Sequence, residues 1–128
     1  QRQQDDGGWS LWSLGEWRWS GSEAPFKSPG ELDDTLLAKS DGYATGLVVH
    51  VLREAGEPTS RPAVDRGLKW LRASQEAVKV NDQTPLAWRT HSLNFDREHG
   101  GEKGEAVRRL FMSDLATAFA VLALSESD

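Results

Sequence analysis

Arg66-Gly67-Leu68-Lys69-Trp70-Leu71-Arg72-Ala73-Ser74-Gln75 is the stretch whose reading decides the fold. Val64, Leu68 and Leu71 recur at helical spacing with Trp70 beside them, so 62–75 is predicted to be a helix with one apolar stripe turned inward. Pro62 suits its first turn, where a missing N–H costs nothing, and Ser60 stands just before it as a cap. Working back, Ala44, Leu47, Val48, Val51, Leu52 and Ala55 fit the i, i+3, i+4, i+7, i+8, i+11 template. The spacing predicts a helix over 43–55, opened by Ser40 or Asp41 and stopped by Gly56 and Pro58. About six residues separate the two helices, which implies an antiparallel helical hairpin.

Working forward, 76–103 shows no clear period and is broken by Pro85 and Gly100-Gly101. A short helix is predicted over 104–112, with Val107, Leu110 and Phe111 apolar, and a last helix over 114–125, capped by Ser113. That last helix is apolar nearly all round, the pattern of a helix enclosed by others. It echoes the first. Ala44-Thr45-Gly46-Leu47-Val48-Val49-His50-Val51-Leu52 matches Ala116-Thr117-Ala118-Phe119-Ala120-Val121-Leu122-Ala123-Leu124 in kind at most positions, 72 residues on, and Ser-Asp precedes each. An offset of 72 residues is two repeats of roughly 36, a length typical of helical-hairpin arrays. Residues 1–39 are loop-like, with Gly7, Gly8, Gly15, Gly21, Gly30, Pro25 and Pro29 among them. Four of the six Trp (Trp9, Trp12, Trp17 and Trp19) fall here, and each indole needs burial or a partner, so this loop is no flexible linker. The alternation at Trp17 and Trp19 suggests a short strand or extended turn.

Two segments carry a family resemblance. Gln3-Gln4-Asp5-Asp6-Gly7-Gly8-Trp9 has the form Q-x-x-x-G-x-W, and Arg66 to Gln75 has the form R-G-x-x-W-L-x-x-x-Q. Together these are the two halves of the QW repeat. The chain resembles the terpenoid cyclase and prenyltransferase superfamily, squalene–hopene-cyclase-like proteins above all. The resemblance takes in about two-thirds of the chain, including 40–75 and 113–124. It implies an all-α fold of α/α-toroid type: a partial toroid of four or five helices, with a Trp- and Gly-rich segment over 1–39 and helical hairpins over 40–128. It also implies that Gln3, Gly7, Trp9, Arg66, Gly67, Trp70 and Gln75 are structural, the Gln tying a loop to the next repeat and the Trp plugging the gap between hairpins. After Gln75 the family pattern asks for D-G-x-W, but Glu76-Ala77-Val78-Lys79-Val80-Asn81-Asp82-Gln83-Thr84-Pro85-Leu86-Ala87-Trp88 follows, and Trp88 is the residue left to take that place.

Glu31-Leu32-Asp33-Asp34-Thr35 poses the catalytic question. It is similar to the D-x-D-D-T motif of cyclases that protonate squalene. By that resemblance Asp33 would be the general acid, with Glu31 and Asp34 beside it. Crowded carboxylates raise the pKa of one of them and keep it protonated. The plainer reading is that acids after Pro29-Gly30 favour the positive end of a helix. Trp12, Trp17, Trp19, Tyr43 and Phe119 are the aromatics available to line an apolar cavity and stabilise a carbocation. His50 on an apolar helix reads as a packed histidine, and His91, His99, Asp96 and Glu98 do not have the spacing of a closed metal site. No metal or cofactor is expected, and with no Cys the zinc-dependent prenyltransferase branch is disfavoured.

Composition bounds the rest. The 128 residues carry 20 Asp and Glu against 15 Lys and Arg, a formal net charge of −5. An acidic chain is a poor ligand for nucleic acid, and the longest apolar run is too short to span a bilayer. The absence of Cys excludes disulfides. The chain opens at Gln1 without a leader pattern and reads as a fragment or a processed product. Three functions remain open. One is a non-catalytic cyclase-like domain that binds an apolar, isoprenoid-like ligand or braces a larger protein, with a homodimer partner or the missing half of a toroid covering its open side. The second is an isoprenoid cyclase using Asp33. The third is a protein-interaction module of helical hairpins.

Overall fold

The computed structural model describes residues 2–15, 39–79, 81–90 and 101–125. A single 3-10 turn, Leu11–Leu14, precedes helix α1 (Gly42–Glu54) and helix α2 (Pro62–Ala73). Strands β1 (Glu76–Ala77) and β2 (Leu86–Ala87) follow, and helix α3 (Gly101–Ser125) closes the order. The chain is mainly helical. Among the described residues there are three α-helices rather than four or five, and a small sheet qualifies the all-α expectation.

Helix α1 is closed at both ends by local chemistry. Asp41 is its N-cap, accepting from the Ala44 N–H at 2.9 Å, while the Gly42 N–H donates to the Arg89 carbonyl at 3.0 Å. Both bonds satisfy donors that a helix start leaves unpaired. At the other end Gly56 takes a φ of 84°, and the N–H groups of Gly56 and Glu57 return to the carbonyls of Arg53 and Leu52. This is a Schellman ending, which needs a residue that tolerates the left-handed region. Helix α2 begins differently from the expectation at Ser60. Arg61 is its N-cap and makes no side-chain cap bond, because Pro62 at the first position removes one of the donors a cap would serve.

The expected break at Ser113 is absent: the predicted helices over 104–112 and 114–125 are one helix, α3. Ser and Asp cost only a few tenths of a kcal/mol inside a helix, and no Gly or Pro stands between Glu105 and Ser125 to stop it. The sheet lies in the stretch that had no period. Its two strands pair antiparallel, Glu76 with Ala87 and Ala77 with Leu86, around a loop in which Asn81 has a φ of 55°.

The core is the seam between α1 and α3, with α2 laid on α1. Ala116, Ala120 and Ala123 on α3 are buried, with Ala44 and Val49 on α1 and Val64, Leu68 and Leu71 on α2. Burying a Val or Leu side chain contributes about 1.5–3 kcal/mol. Small residues let the seam close tightly: a Cβ on Gly46 would stand 2.7 Å from the Ala120 nitrogen.

Candidate functional site

The outer face of α2 holds the N-terminal arm through a dense set of bonds. Residues 4–8 form a tight turn, with the Gly7 N–H bonded to the Gln4 carbonyl and the Gln4 N–H to the Gly8 carbonyl. Gly7 has a φ of 96°, and a Cβ there would meet the Arg66 carbonyl oxygen at 2.9 Å, so the turn needs glycine on two grounds. The Gln3 amide nitrogen donates to the Gly7 carbonyl at 2.8 Å and to the Ala63 carbonyl at 2.9 Å. Arg66 answers from the helix, donating to the carbonyls of Gln4 and Asp5. The Trp70 indole N–H donates to Asp6 at 3.0 Å. Trp9 is buried and lies over Gly67, where a Cβ would stand 2.9 Å from the indole ring and 2.5 Å from Val49.

Asp6 also accepts from the Ser40 hydroxyl at 2.7 Å and the Gly8 N–H at 3.0 Å. Burial pushes its carboxyl up, but the bonds from Ser40, Gly8 and Trp70 and the charge of Arg66 together hold it below the usual carboxylate range.

A second arm repeats the anchoring. The β1–β2 hairpin delivers Trp88, which is buried and donates its indole N–H to the Leu71 carbonyl at 2.7 Å, satisfying one of the carbonyls left open at the end of α2. The two tryptophans share one further contact. The Trp9 backbone N–H donates to the Thr45 hydroxyl at 2.9 Å, and the Trp88 backbone N–H to the Thr117 hydroxyl at 3.2 Å. Thr45 and Thr117 stand at the same place in the two echoing segments, 72 residues apart. Asp41 links the arms: its carboxylate accepts from the Leu11 N–H at 2.6 Å and from the Thr90 hydroxyl at 2.7 Å, besides capping α1. Burial pushes the Asp41 carboxyl above its usual range despite those bonds.

Of the aromatics read from the sequence, the structure brings two together. Tyr43 on α1 meets Phe119 on α3 edge to face, with ring centroids 5.4 Å apart, and His50 lies 6.3 Å from the same Phe119 ring. Such an arrangement matches the quadrupoles of the rings. Trp12 sits half-buried on the 3-10 turn, and Gln75 is exposed beyond the end of α2. Asp33, Asp34, Glu31, Trp17, Trp19, His91, Asp96, Glu98 and His99 lie outside the described residues. Among the described residues no three His, Asp or Glu side chains gather as a metal site, and no helix is long and apolar enough to cross a membrane.

Sequence reasoning placed Asp41 as a cap but missed its bonds to both arms. It also missed Thr45, Thr117, Thr90, Ser40 and the carboxylate role of Asp6. A signal existed for two of these: a hydroxyl at one register position in both apolar echoes has to find a partner when it is buried.

In comparison with known proteins, a squalene-hopene cyclase of Schizosaccharomyces japonicus is 31% identical over 74 residues, covering 58% of this chain and 11% of that protein. The similarity supports a distant cyclase-like relationship. The matched stretch is thus a small part of the relative's length. No family model matches the chain, and no solved structure matches it.

Proposed function

We propose that residues 1–128 form a QW-braced wall segment of an α/α toroid of squalene-cyclase type, non-catalytic in itself. In this reading α1 and α3 are inner helices and α2 is an outer one. The segment braces a larger protein and offers an apolar, isoprenoid-like ligand the aromatic edge made by Tyr43, His50 and Phe119. One observation carries the reading: two tryptophan arms are anchored alike, each by its backbone N–H, on threonines one repeat apart. The arm from Gln3 to Trp9, docked on Arg66, Gly67 and Trp70, is what a QW brace requires physically, since it ties a loop to the next helix by side-chain bonds and a buried indole. The relationship to a squalene-hopene cyclase supports the same assignment.

The ligand half is tested with squalene in detergent micelles, following Trp and Tyr fluorescence. The wild-type protein is expected to bind it saturably, and Tyr43→Ala with Phe119→Ala to weaken binding at least tenfold while the helical circular dichroism persists. Unchanged binding in the double variant would remove these rings from the ligand's path.

A further inference from the structure

The internal echo has a geometric consequence for the open side of α3. On α1 the residues that meet α3 form one stripe. Gly46 lies against the backbone of Phe119 and Ala120, His50 lies beside the Phe119 ring, and Arg53 donates to the Ala123 carbonyl at 2.8 Å. Moved on by 72 residues, that stripe becomes Ala118, Leu122 and Ser125 of α3. These three are not in the seam. Ala118 and Ser125 are exposed, and Leu122 is 45% exposed. Conversely, the α3 residues buried against α1 are Ala116, Ala120 and Ala123, whose counterparts on α1 are Ala44, Val48 and Val51. Positions 46 and 48 are about 200° apart around a helix of 3.6 residues per turn, so Val48 and Val51 lie on the side of α1 away from α3. Val51 is 54% exposed.

The molecule therefore carries both halves of its own seam, unpaired, at opposite ends: a stripe ending in Val51 on α1 and a seat around Leu122 on α3. Val121 fits the same picture. Its counterpart Val49 is fully buried, next to Gly67 of α2, whereas Val121 is 50% exposed. A further hairpin would cover both Leu122 and Val121. The two unpaired faces match because each repeats one side of an interface already present between α1 and α3.

We propose that the α3 face of Ala118, Val121 and Leu122 is the seat for the Val48–Val51 stripe of a second copy of this chain, in a head-to-tail contact that continues the α1–α3 seam. The inference rests on the repeat geometry used for the proposed function, not on the ligand. Such a contact is heterologous, so it leaves one free stripe and one free seat and adds copies until a ring closes. Ala118 carries the methyl group that Gly46 lacks, so the contact between copies is wider than the internal seam.

Complementation separates this contact from a symmetric one. The wild-type mass in solution, read by light scattering across a hundredfold concentration range, is expected to rise above the 14.2 kDa of one chain. Val51→Asp and Leu122→Asp are each expected to remain at one chain, with circular dichroism confirming that both stay helical. Mixed in equal amounts they are expected to form a dimer and nothing larger, because each supplies the face the other has lost. A wild-type protein that stays at one chain throughout would overturn the proposal. So would a Val51→Asp variant that associates as the wild type does, since that would mean two α3 faces meeting each other. If association fails while squalene still binds, only the seat is lost. If binding fails while the variants complement, only the ligand reading is lost.

Discussion

At the scale of single residues, two carboxylates of the brace are shifted in opposite directions, and the signs are separable by experiment. Asp6 is held below its ordinary value, so the stability it contributes is complete above the unfolded value of roughly 3.9 and is lost as pH falls through the folded value. Asp41 is raised, so its contribution is complete below the unfolded value and is lost as pH rises through the folded one. Urea denaturation across a pH series is expected to show Asp6→Asn reducing the loss of stability below about pH 4, and Asp41→Asn reducing a loss just above it. A steeper loss above pH 4 in Asp41→Asn would mean that the bonds from Ala44, Leu11 and Thr90 outweigh burial. Neither shift was legible in the sequence. Asp5-Asp6 reads there as a solvated pair, and only the fold brings Ser40, Arg66 and Trp70 up to Asp6.

At the scale of elements, close approach of α1 and α3 depends on Gly46. Gly46→Ala is expected to cost about 1–3 kcal/mol in urea denaturation, because the new methyl would press on the backbone of Phe119 and Ala120 rather than on a movable side chain. A cost below half a kcal/mol would mean that the seam is looser than described. Helices α1 and α2 could be read from the sequence to within a residue or two, since Asp41, Gly56 and Pro62 punctuate strong periodic stripes. The length of α3 could not. Ser113-Asp114 looks like a cap, and whether a cap-type residue ends a helix depends on what its neighbours do. The hairpin was also hidden, because strands of two residues are too short to display alternation. Trp88 was picked out in the sequence by its type and order, but its anchor on Leu71 and Thr117 follows from the hairpin, which no local pattern announces.

At the scale of the whole molecule, the N-terminal arm and the residues after β2 are held by one scheme: a buried indole, a threonine hydroxyl under the tryptophan N–H, and Asp41 between them. A segment as rich in Gly and Ser as 7–15 would exchange its amide hydrogens within seconds if it were loose, and docking makes it part of the core instead. The most direct measurement is native-state amide hydrogen exchange at Trp9 and Trp88, read residue by residue by NMR. Two equivalent docked arms predict that both amides are protected to the level of α1, and that Thr45→Val and Thr117→Val each release only the arm above it. Free exchange at Trp9 in the wild-type protein would contradict the brace, and with it the reading of the chain as a repeat pair.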